Sequence, residues 1–405
     1  MTRVEYGSLE SLRAHNRRRV VDALRHRGTA SRAEIARLTG LSRSTVSSLV
    51  GELQDSGLVI ETTRAGDGGG SQGNQQGRPP VLLTLDRRAG AVVGINFGHR
   101  DARVAVADLS RTVLAERVFR DIDVDHQGIE ALDVAAELVR QALDEADVPI
   151  DRVLAAGLGL SGPIDHEKDL VHRTAILPSW GDISPGAEME RRLQVPVHIE
   201  NDANLGALAE MTQGAAQGHR NVIYLMIASG IGAGVIIGGQ VVHGAGGTAG
   251  ELGHLLIDDA GPICRCGNRG CLETVVAGPA IVDLLKPQHG QDLTLDDVLT
   301  LVAQGEPGAR RAIEDAGRTV GRALAGLVNV LNPEAIVVGG ELAAAGDALL
   351  GPVRGAIGRH AIRPAADDVR VVRSELGDRA EVLGALILAA QRADAPHLSQ
   401  PTPVP

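Results

Sequence analysis

Apolar positions between residues 16 and 56 recur every three or four residues in three short runs, the spacing of a buried helix face. The first run predicts a helix over 16–27, with Val20, Val21 and Leu24 inward. The second predicts a helix over 32–39. Ser31 precedes it and Glu34 stands three residues later, a pair that satisfies two free backbone N–H groups reciprocally. Gly40 supplies the left-handed stop. The third predicts a helix over 43–56, opened by Ser42 and closed by Gly57, with Val46, Leu49, Val50 and Leu53 inward. LVIETT (58–63) and VLLTLD (81–86) then read as two strands of a hairpin. Between them lies GDGGGSQGNQQG (66–77), a low-complexity run expected to be mobile.

From Gly90 the pattern changes. Short apolar runs (AVVGI, RVAVAD, VLAAGLGL, PVHIEN, NVIYLMI, GVIIGG, AIVVGG) alternate with helical stretches. Ile129, Leu132, Ala136, Val139 and Leu143 predict a helix over 129–146. Such alternation implies an α/β fold with a mixed sheet. About 300 residues exceed one comfortable α/β core, so two lobes with a cleft are expected. The expected division is a head over 1–88 with a Gly-rich wing or linker at 64–80, and lobes over 89–200 and 201–392. A disordered Pro-rich tail is expected over 393–405, and the last helix is allowed to return to the first lobe. The stretch from Asn221 to Gly250 lacks Asp, Glu, Lys and Arg. Its VIYLMIASGIGAGVIIGG is long enough to suggest a membrane helix. Its glycines favour two buried strands around a turn, and no membrane association is expected.

Composition and charge qualify this picture. The net charge of −11 argues against nucleic acid as a partner. Yet residues 1–88 carry 14 Arg, no Lys and 9 acidic residues, a charge of +5, and the remainder carries −16. A basic head on an acidic body points to nucleic-acid contact at one end. Aromatic residues are 1% of the chain: Tyr6, Phe97, Phe119, Trp180 and Tyr224. That scarcity excludes base-stacking modules. MTRVEYGSLE has no apolar signal-peptide core, and the three cysteines lie within eight residues of one another. A cytoplasmic protein without disulfides is expected.

Two short helices, a tight turn and a hairpin describe a winged helix-turn-helix. The opening turn of the 43–56 helix offers Arg43, Ser44, Thr45, Ser47 and Ser48, donors suited to base edges and phosphates in a major groove. Arg32 joins them as a candidate, and Arg17, Arg18 and Arg19 are candidates for phosphate contacts. Gly77-Arg78-Pro79 could lay Arg78 in a narrow minor groove, or be a plain strand entry. Operator DNA is the expected partner.

His254, Cys264, Cys266 and Cys271 are separated by nine, one and four residues. One imidazole and three thiolates suit a closed tetrahedral Zn2+ site. Four protein ligands leave no open position, so the metal would be structural.

ELGH at 251–254 followed by CRCGNRGCLE at 264–273 resembles the signature of the ROK family (repressors, open reading frames and sugar kinases). LGLSGPID (158–165), ENDAN (200–204) and ASGIGAGVIIGG (228–239) resemble its other blocks in the same order. LRAHNRRRV and SRAEIARLTGLSRSTVSSLV resemble its repressor branch, which includes xylose and N-acetylglucosamine repressors. The resemblance spans about residues 9–392. It implies an actin-like, hexokinase-type, ribonuclease H-like body with sugar in the cleft between lobes. The implied sugar ligands are Ser161, Gly162, Asn201, Asp202, Glu251, His254 and Glu273. His254 thus belongs to both sets, and zinc would hold Glu251 and Glu273 in place. With so few aromatic rings, sugar recognition is expected to rest on hydrogen bonds, with Trp180 the one ring worth testing.

The resemblance also implies that the counterpart of Asp202 is the general base in the kinases. The family's first phosphate loop, Asp-x-Gly-Gly-Thr-Lys, departs here: the chain has Asn96, Phe97, Gly98, His99, Arg100 and Asp101. Bulky His99 and Arg100 hinder the backbone N–H approach that binds phosphate. The second loop, Ser229, Gly230, Ile231 and Gly232, and the later Gly339 and Gly340 remain compatible with nucleotide or serve as strand turns. The expected protein is therefore a non-catalytic, sugar-responsive transcriptional regulator, a repressor in keeping with that branch of the family, and a homo-oligomer (dimer or tetramer). The hairpin linker at 58–90 is expected to carry the signal to the heads. An active or bifunctional sugar kinase is the first alternative, and a regulator controlled by a protein partner the second.

Overall fold

The computed structural model describes residues 9–62, 81–166, 168, 170–171, 177–181 and 183–399. Arg78 and the run 66–77 lie outside them.

The head has helices Leu9–Arg27, Arg32–Thr39 and Arg43–Asp55, and a small antiparallel sheet in the order Ala30–Ser31, Leu82–Leu85, Val59–Thr62. Ser31 caps the second helix: its hydroxyl accepts from Glu34 N at 3.3 Å, and the Glu34 carboxylate accepts from Ser31 N at 2.8 Å. Gly40 ends that helix at φ 66°, in the left-handed region. The apolar residues expected inside are buried. The first helix begins at Leu9, not at 16. Polar contacts extend it beyond its apolar stripe: Arg13 and Arg17 both pair with Glu52 of the third helix.

The body repeats one topology twice. Its first sheet has the order Val197–Asn201, Val153–Leu160, Ala91–Phe97, Asp101–Asp108, Val113–Arg120. Its second has the order Gln240–Val241, Ile231–Ile237, Val222–Ile227, Ala335–Gly339, Arg370–Arg373. In each, three consecutive strands form an antiparallel meander, and two later strands add in parallel beside the first. This duplicated unit is the ribonuclease H-like, actin-like arrangement. The uncharged stretch forms Val222–Ile227 and Ile231–Ile237, antiparallel about a short turn. Among the described residues no helix is long and apolar enough to cross a membrane.

Helix Gly128–Glu145 covers one face of the first sheet through Leu132, Ala136, Val139 and Leu143. Ile129, expected inward, is 41% exposed; the helix starts one residue earlier, where Gly128 N donates to Ser179 Oγ at 3.0 Å. Trp180 is wholly buried beneath it, its ring tilted 57° against Phe97 with centroids 5.6 Å apart, and its Nε1 donates to Val124 O at 2.8 Å. It is a core residue and does not line the cleft, because its indole N–H is already satisfied inside the lobe.

Helix Ala380–Ser399 returns to the other face of the first sheet. It runs past residue 392, where order was expected to end; its Ala-rich stretch sustains helix up to the Pro-rich end. Glycines permit its approach: a Cβ on Gly157 would lie 2.2 Å from Ala385 O. The same helix packs against Leu9–Arg27, so Val20, Val21 and Leu24 share an apolar cluster with Leu109, Leu386 and Ala390. Arg25 Nε adds a hydrogen bond to Leu109 O at 2.9 Å.

Gly157→Ala is expected to lower stability by about 1–3 kcal/mol through overpacking. The urea midpoint measures this, and an unchanged midpoint would mean that the contact is not close.

Candidate functional site

The lobes enclose a cleft of about 800 Å³. Strand Val153–Leu160 delivers Ser161 and Gly162 to one wall, Gly162 at φ 103°. Strand Val197–Asn201 delivers Asn201, whose Oδ1 caps helix Asp202–Gln213 by accepting from Asn204 N at 3.1 Å. Asn201 Nδ2 donates to Gly162 O at 3.1 Å, tying the two loops. Asp202 opens that helix and is 4% exposed. Its carboxylate accepts from Ser161 Oγ at 2.6 Å and from Ala203 N at 2.8 Å. Burial still raises its pKa above the ordinary range.

The second lobe contributes Glu251, His254 and Glu273. Burial, then the charges of Asp202 and Glu273, raise Glu251 to about 7. It can therefore donate as well as accept near neutrality. Burial alone would raise Glu273 too, but Arg265 reverses this and holds it below the ordinary carboxylate range. Arg265 Nε and Nη2 donate to the two Glu273 oxygens at 2.9 and 3.2 Å. Ser161, Gly162, Asn201, Asp202, Glu251, His254 and Glu273 all line the one cleft. Arg265 was missed from sequence, although its place between two candidate ligand cysteines marked it.

His254 joins the cleft to a thiol cluster. Its Nδ1 lies 3.6 Å from Cys264 Sγ, and its Nε2 lies 3.6 Å from a Glu251 oxygen. Cys266 and Cys271 sulfurs are 3.7 Å apart. A disulfide needs about 2.05 Å, whereas a tetrahedral zinc separates two sulfurs by about 3.8 Å and a sulfur from a nitrogen by about 3.6 Å. All four ligand atoms lie within 4.8 Å of one another. The donor set fits such an ion. Burial and the neighbouring thiols push Cys271 up to about 12.

At the other end of the cleft, Gly98 to Asp101 form the tip between strands Ala91–Phe97 and Asp101–Asp108. His99 Nδ1 lies 2.7 Å from Asp125 Oδ1. Asp101 fills the space beside Gly98, where a Cβ would lie 2.1 Å from its Oδ1. Asn96 Oδ1 is buried without a hydrogen-bond partner among the described residues. Ser229, Gly230, Gly232, Gly339 and Gly340 line the same cleft. Gly230 also leaves room for the Arg265–Glu273 pair: a Cβ there would lie 2.5 Å from Arg265 Nη2 and 2.8 Å from Glu273 Oε2. Glu381, unforeseen, lines the cleft and accepts from Tyr224 Oη at 2.8 Å.

In the head, Arg43, Ser44, Ser47 and Ser48 are exposed and Thr45 is half-buried. Ser42 Oγ accepts from Thr45 N at 3.1 Å and fixes this opening turn. Arg32 is not brought to it. It donates to Gln54 Oε1 at 2.9 Å, at the far end of the helix. Of the candidate phosphate contacts, Arg17 pairs with Glu52 and Arg19 donates to Thr39 O, while Arg18 is exposed.

A winged helix-turn-helix on a duplicated body with a polar cleft defines a class: a DNA-binding head carried by a sugar-kinase-type body. The chain belongs to the ROK family, whose model matches residues 92–392; a MarR family model matches residues 16–68. It is 30% identical over 354 residues to the xylose repressor of Bacillus subtilis, covering 87% of this chain and 89% of that one. A solved ROK family transcriptional regulator, described as a homologue of the Escherichia coli Mlc protein, superposes with a TM-score of 0.78 at 27% identity. That match covers 96% of this chain and 98% of the other. A ROK family glucokinase from Streptomyces griseus, solved with glucose and AMPPNP, gives a TM-score of 0.66 at 28% identity. It covers 75% of this chain and 100% of the kinase.

Burial raises Glu381 from 4.5 to about 7. The folded chain then holds a proton that the unfolded chain releases in this window. The associated stability, complete below 4.5, is lost as pH rises through about 7. Glu381→Gln, which keeps an acceptor for Tyr224, is expected to gain Tm relative to the parent chain as pH rises from 4.5 to above 7. A difference in Tm that does not vary with pH would contradict this.

Proposed function

We propose that this chain is a sugar-responsive transcriptional regulator of carbohydrate-metabolism genes, acting as a repressor in the cytoplasm. A head over residues 1–88 reads operator DNA through Arg43, Ser44, Thr45, Ser47 and Ser48. Lobes over 89–200 and 201–392 hold the effector sugar among Ser161, Gly162, Asn201, Asp202, Glu251, His254 and Glu273. One observation carries the reading: helix Ala380–Ser399 enters the cleft at Glu381 and packs against the head helix Leu9–Arg27. A sugar that draws the lobes together acts on a helix in direct contact with the DNA-reading unit. In a homo-oligomer, two heads meet two operator half-sites, and a change in their spacing lowers affinity. The hairpin linker is then not the sole route of the signal. The similarity to the xylose repressor supports this assignment.

The sugar ligands are those of a kinase, but the phosphate end of the cleft favours a binding protein. Asp101 carries a carboxylate to the loop where a kinase of this family would approach phosphate, and Asn96 replaces its loop Asp. Phosphoryl transfer depends on positioning and on cation electrostatics, and both are weakened here. ATP consumption with glucose, xylose or N-acetylglucosamine is expected to stay at background. In the same protein, the effector sugar is expected to reduce operator affinity at least tenfold. Unchanged affinity across a broad sugar panel would overturn the effector assignment, and turnover at kinase rates would overturn the non-catalytic one.

His254, Cys264, Cys266 and Cys271 would hold a structural Zn2+, which supplies a fixed centre for the loop between Glu251 and Glu273. Cys266→Ser is expected to lower the thiolate-to-metal absorption of the cobalt-loaded protein and to weaken its hold on the ion. It is also expected to remove the rise in Tm that the effector sugar causes, because His254 and both glutamates lose their support. A full sugar-induced rise in the variant would contradict the link between metal and cleft.

A further inference from the structure

A second cluster of ligand-type side chains lies outside the cleft lining, behind the wall that carries Asn201 and Asp202. His166, Glu200 and His243 bring one ligand atom each within 4.8 Å of one another. His243 Nε2 lies 2.7 Å from Glu200 Oε2, and His166 Nε2 lies 3.5 Å from Glu200 Oε1. The two rings meet edge to face with centroids 4.3 Å apart.

Hydrogen bonding alone accounts poorly for this grouping. Glu200 Oε1 already accepts from Asn201 N and from Asn204 Nδ2, both at 2.9 Å. Its two lone pairs are used, and 3.5 Å is long for a third bond. His166 therefore points at a saturated oxygen. Protonating both rings would place like charges side by side, which repel. A divalent cation shared by the two imidazoles and the carboxylate removes both difficulties. Glu200 is 6% exposed, whereas the side chains of His166 and His243 are 33% and 39% exposed. The carboxylate is thus anchored inside, and the rings leave room for water to complete the coordination.

We propose that His166, Glu200 and His243 form a second cation site, open to solvent, for a borderline first-row dication such as Zn2+, Co2+ or Ni2+. Two imidazoles and one carboxylate with free positions suit these ions, not Mg2+ or Ca2+. The site is separate from the thiol cluster and holds its ion less tightly, with three ligands in place of four. It would tie three segments. His166 follows the loop of Ser161 and Gly162, Glu200 precedes Asn201 and Asp202, and His243 lies on the segment leading to Glu251. Gly247 already seats that segment on the first: a Cβ there would lie 1.8 Å from Ile164 O.

The test is Co2+ uptake by the full, metal-stripped chain without a polyhistidine tag, by equilibrium dialysis with absorption spectra. Two equivalents are expected. The first brings thiolate-to-cobalt absorption, and the second adds none. His166→Ala and His243→Ala are each expected to weaken the second equivalent at least tenfold and to leave the thiolate absorption intact. Both rings are partly exposed, so these variants retain the fold, which that absorption also reports. Saturation of the parent chain at one equivalent would overturn the proposal. So would two equivalents held with unchanged affinity by both variants, which would put the second ion elsewhere.

Discussion

The molecule depends on one close helix crossing. Helix Asp202–Gln213 meets helix Ala380–Ser399 where a Cβ on Gly384 would lie 2.0 Å from Leu205 O. Each helix begins in the cleft, one at Asp202 and the other at Glu381. The first seats on the second sheet, where Gly234 passes 2.3 Å from Ala203 O if given a Cβ. The second lies on the first sheet and against the head. Both lobes and the DNA-reading unit therefore share one joint, and dense packing there makes it respond as a unit and not by local bending.

The joint also buries polar groups: Glu210, Ser374 and Glu381 are each less than a tenth exposed. Tyr224 donates to Glu381 at 2.8 Å, and Ser374 pairs with Glu210, whose carboxylate also accepts from Leu376 N at 3.1 Å. Buried carboxyls of this kind are costly unless every partner is in place. They specify one relative position of helix and sheet, whereas an apolar contact would allow several. In the cleft, the unequal surroundings of its carboxyls separate their states. Arg265 keeps Glu273 ionised, and burial beside Asp202 raises Glu251 to about 7. A hydroxyl-rich ligand of the kind proposed would then meet both acceptors and a donor.

Local chemistry was legible wherever a short segment satisfies itself. The Ser31–Glu34 cap, the Gly40 stop and the inward faces of the head helices follow from nearest-neighbour rules, and the structure has them. So does the thiol cluster, because three cysteines and a histidine within 18 residues have little else to do in such a chain. Trp180 misled for the opposite reason. An isolated ring suggests a sugar platform, but only packing reveals that its N–H is spent on Val124 O. Arg17, Arg19 and Arg32 likewise carry charge that looks free in a sequence but is engaged by partners within the head.

By itself the sequence determined the head, the alternating α/β body, the charge division between them and the ligand-type residues of the thiol cluster. Each follows from spacings of a few residues, where backbone geometry alone fixes which side chains meet. Tertiary structure decided the rest. It brought Ser161, Asn201, Glu251 and Glu273 to one cleft, clamped Glu273 with Arg265, and set Glu200 between His166 and His243. It also returned the last helix to the first sheet and the head. These pairings span tens to hundreds of residues, and they are selected by glycine-permitted close approach and by burial of charge, neither of which leaves a periodic mark along the chain.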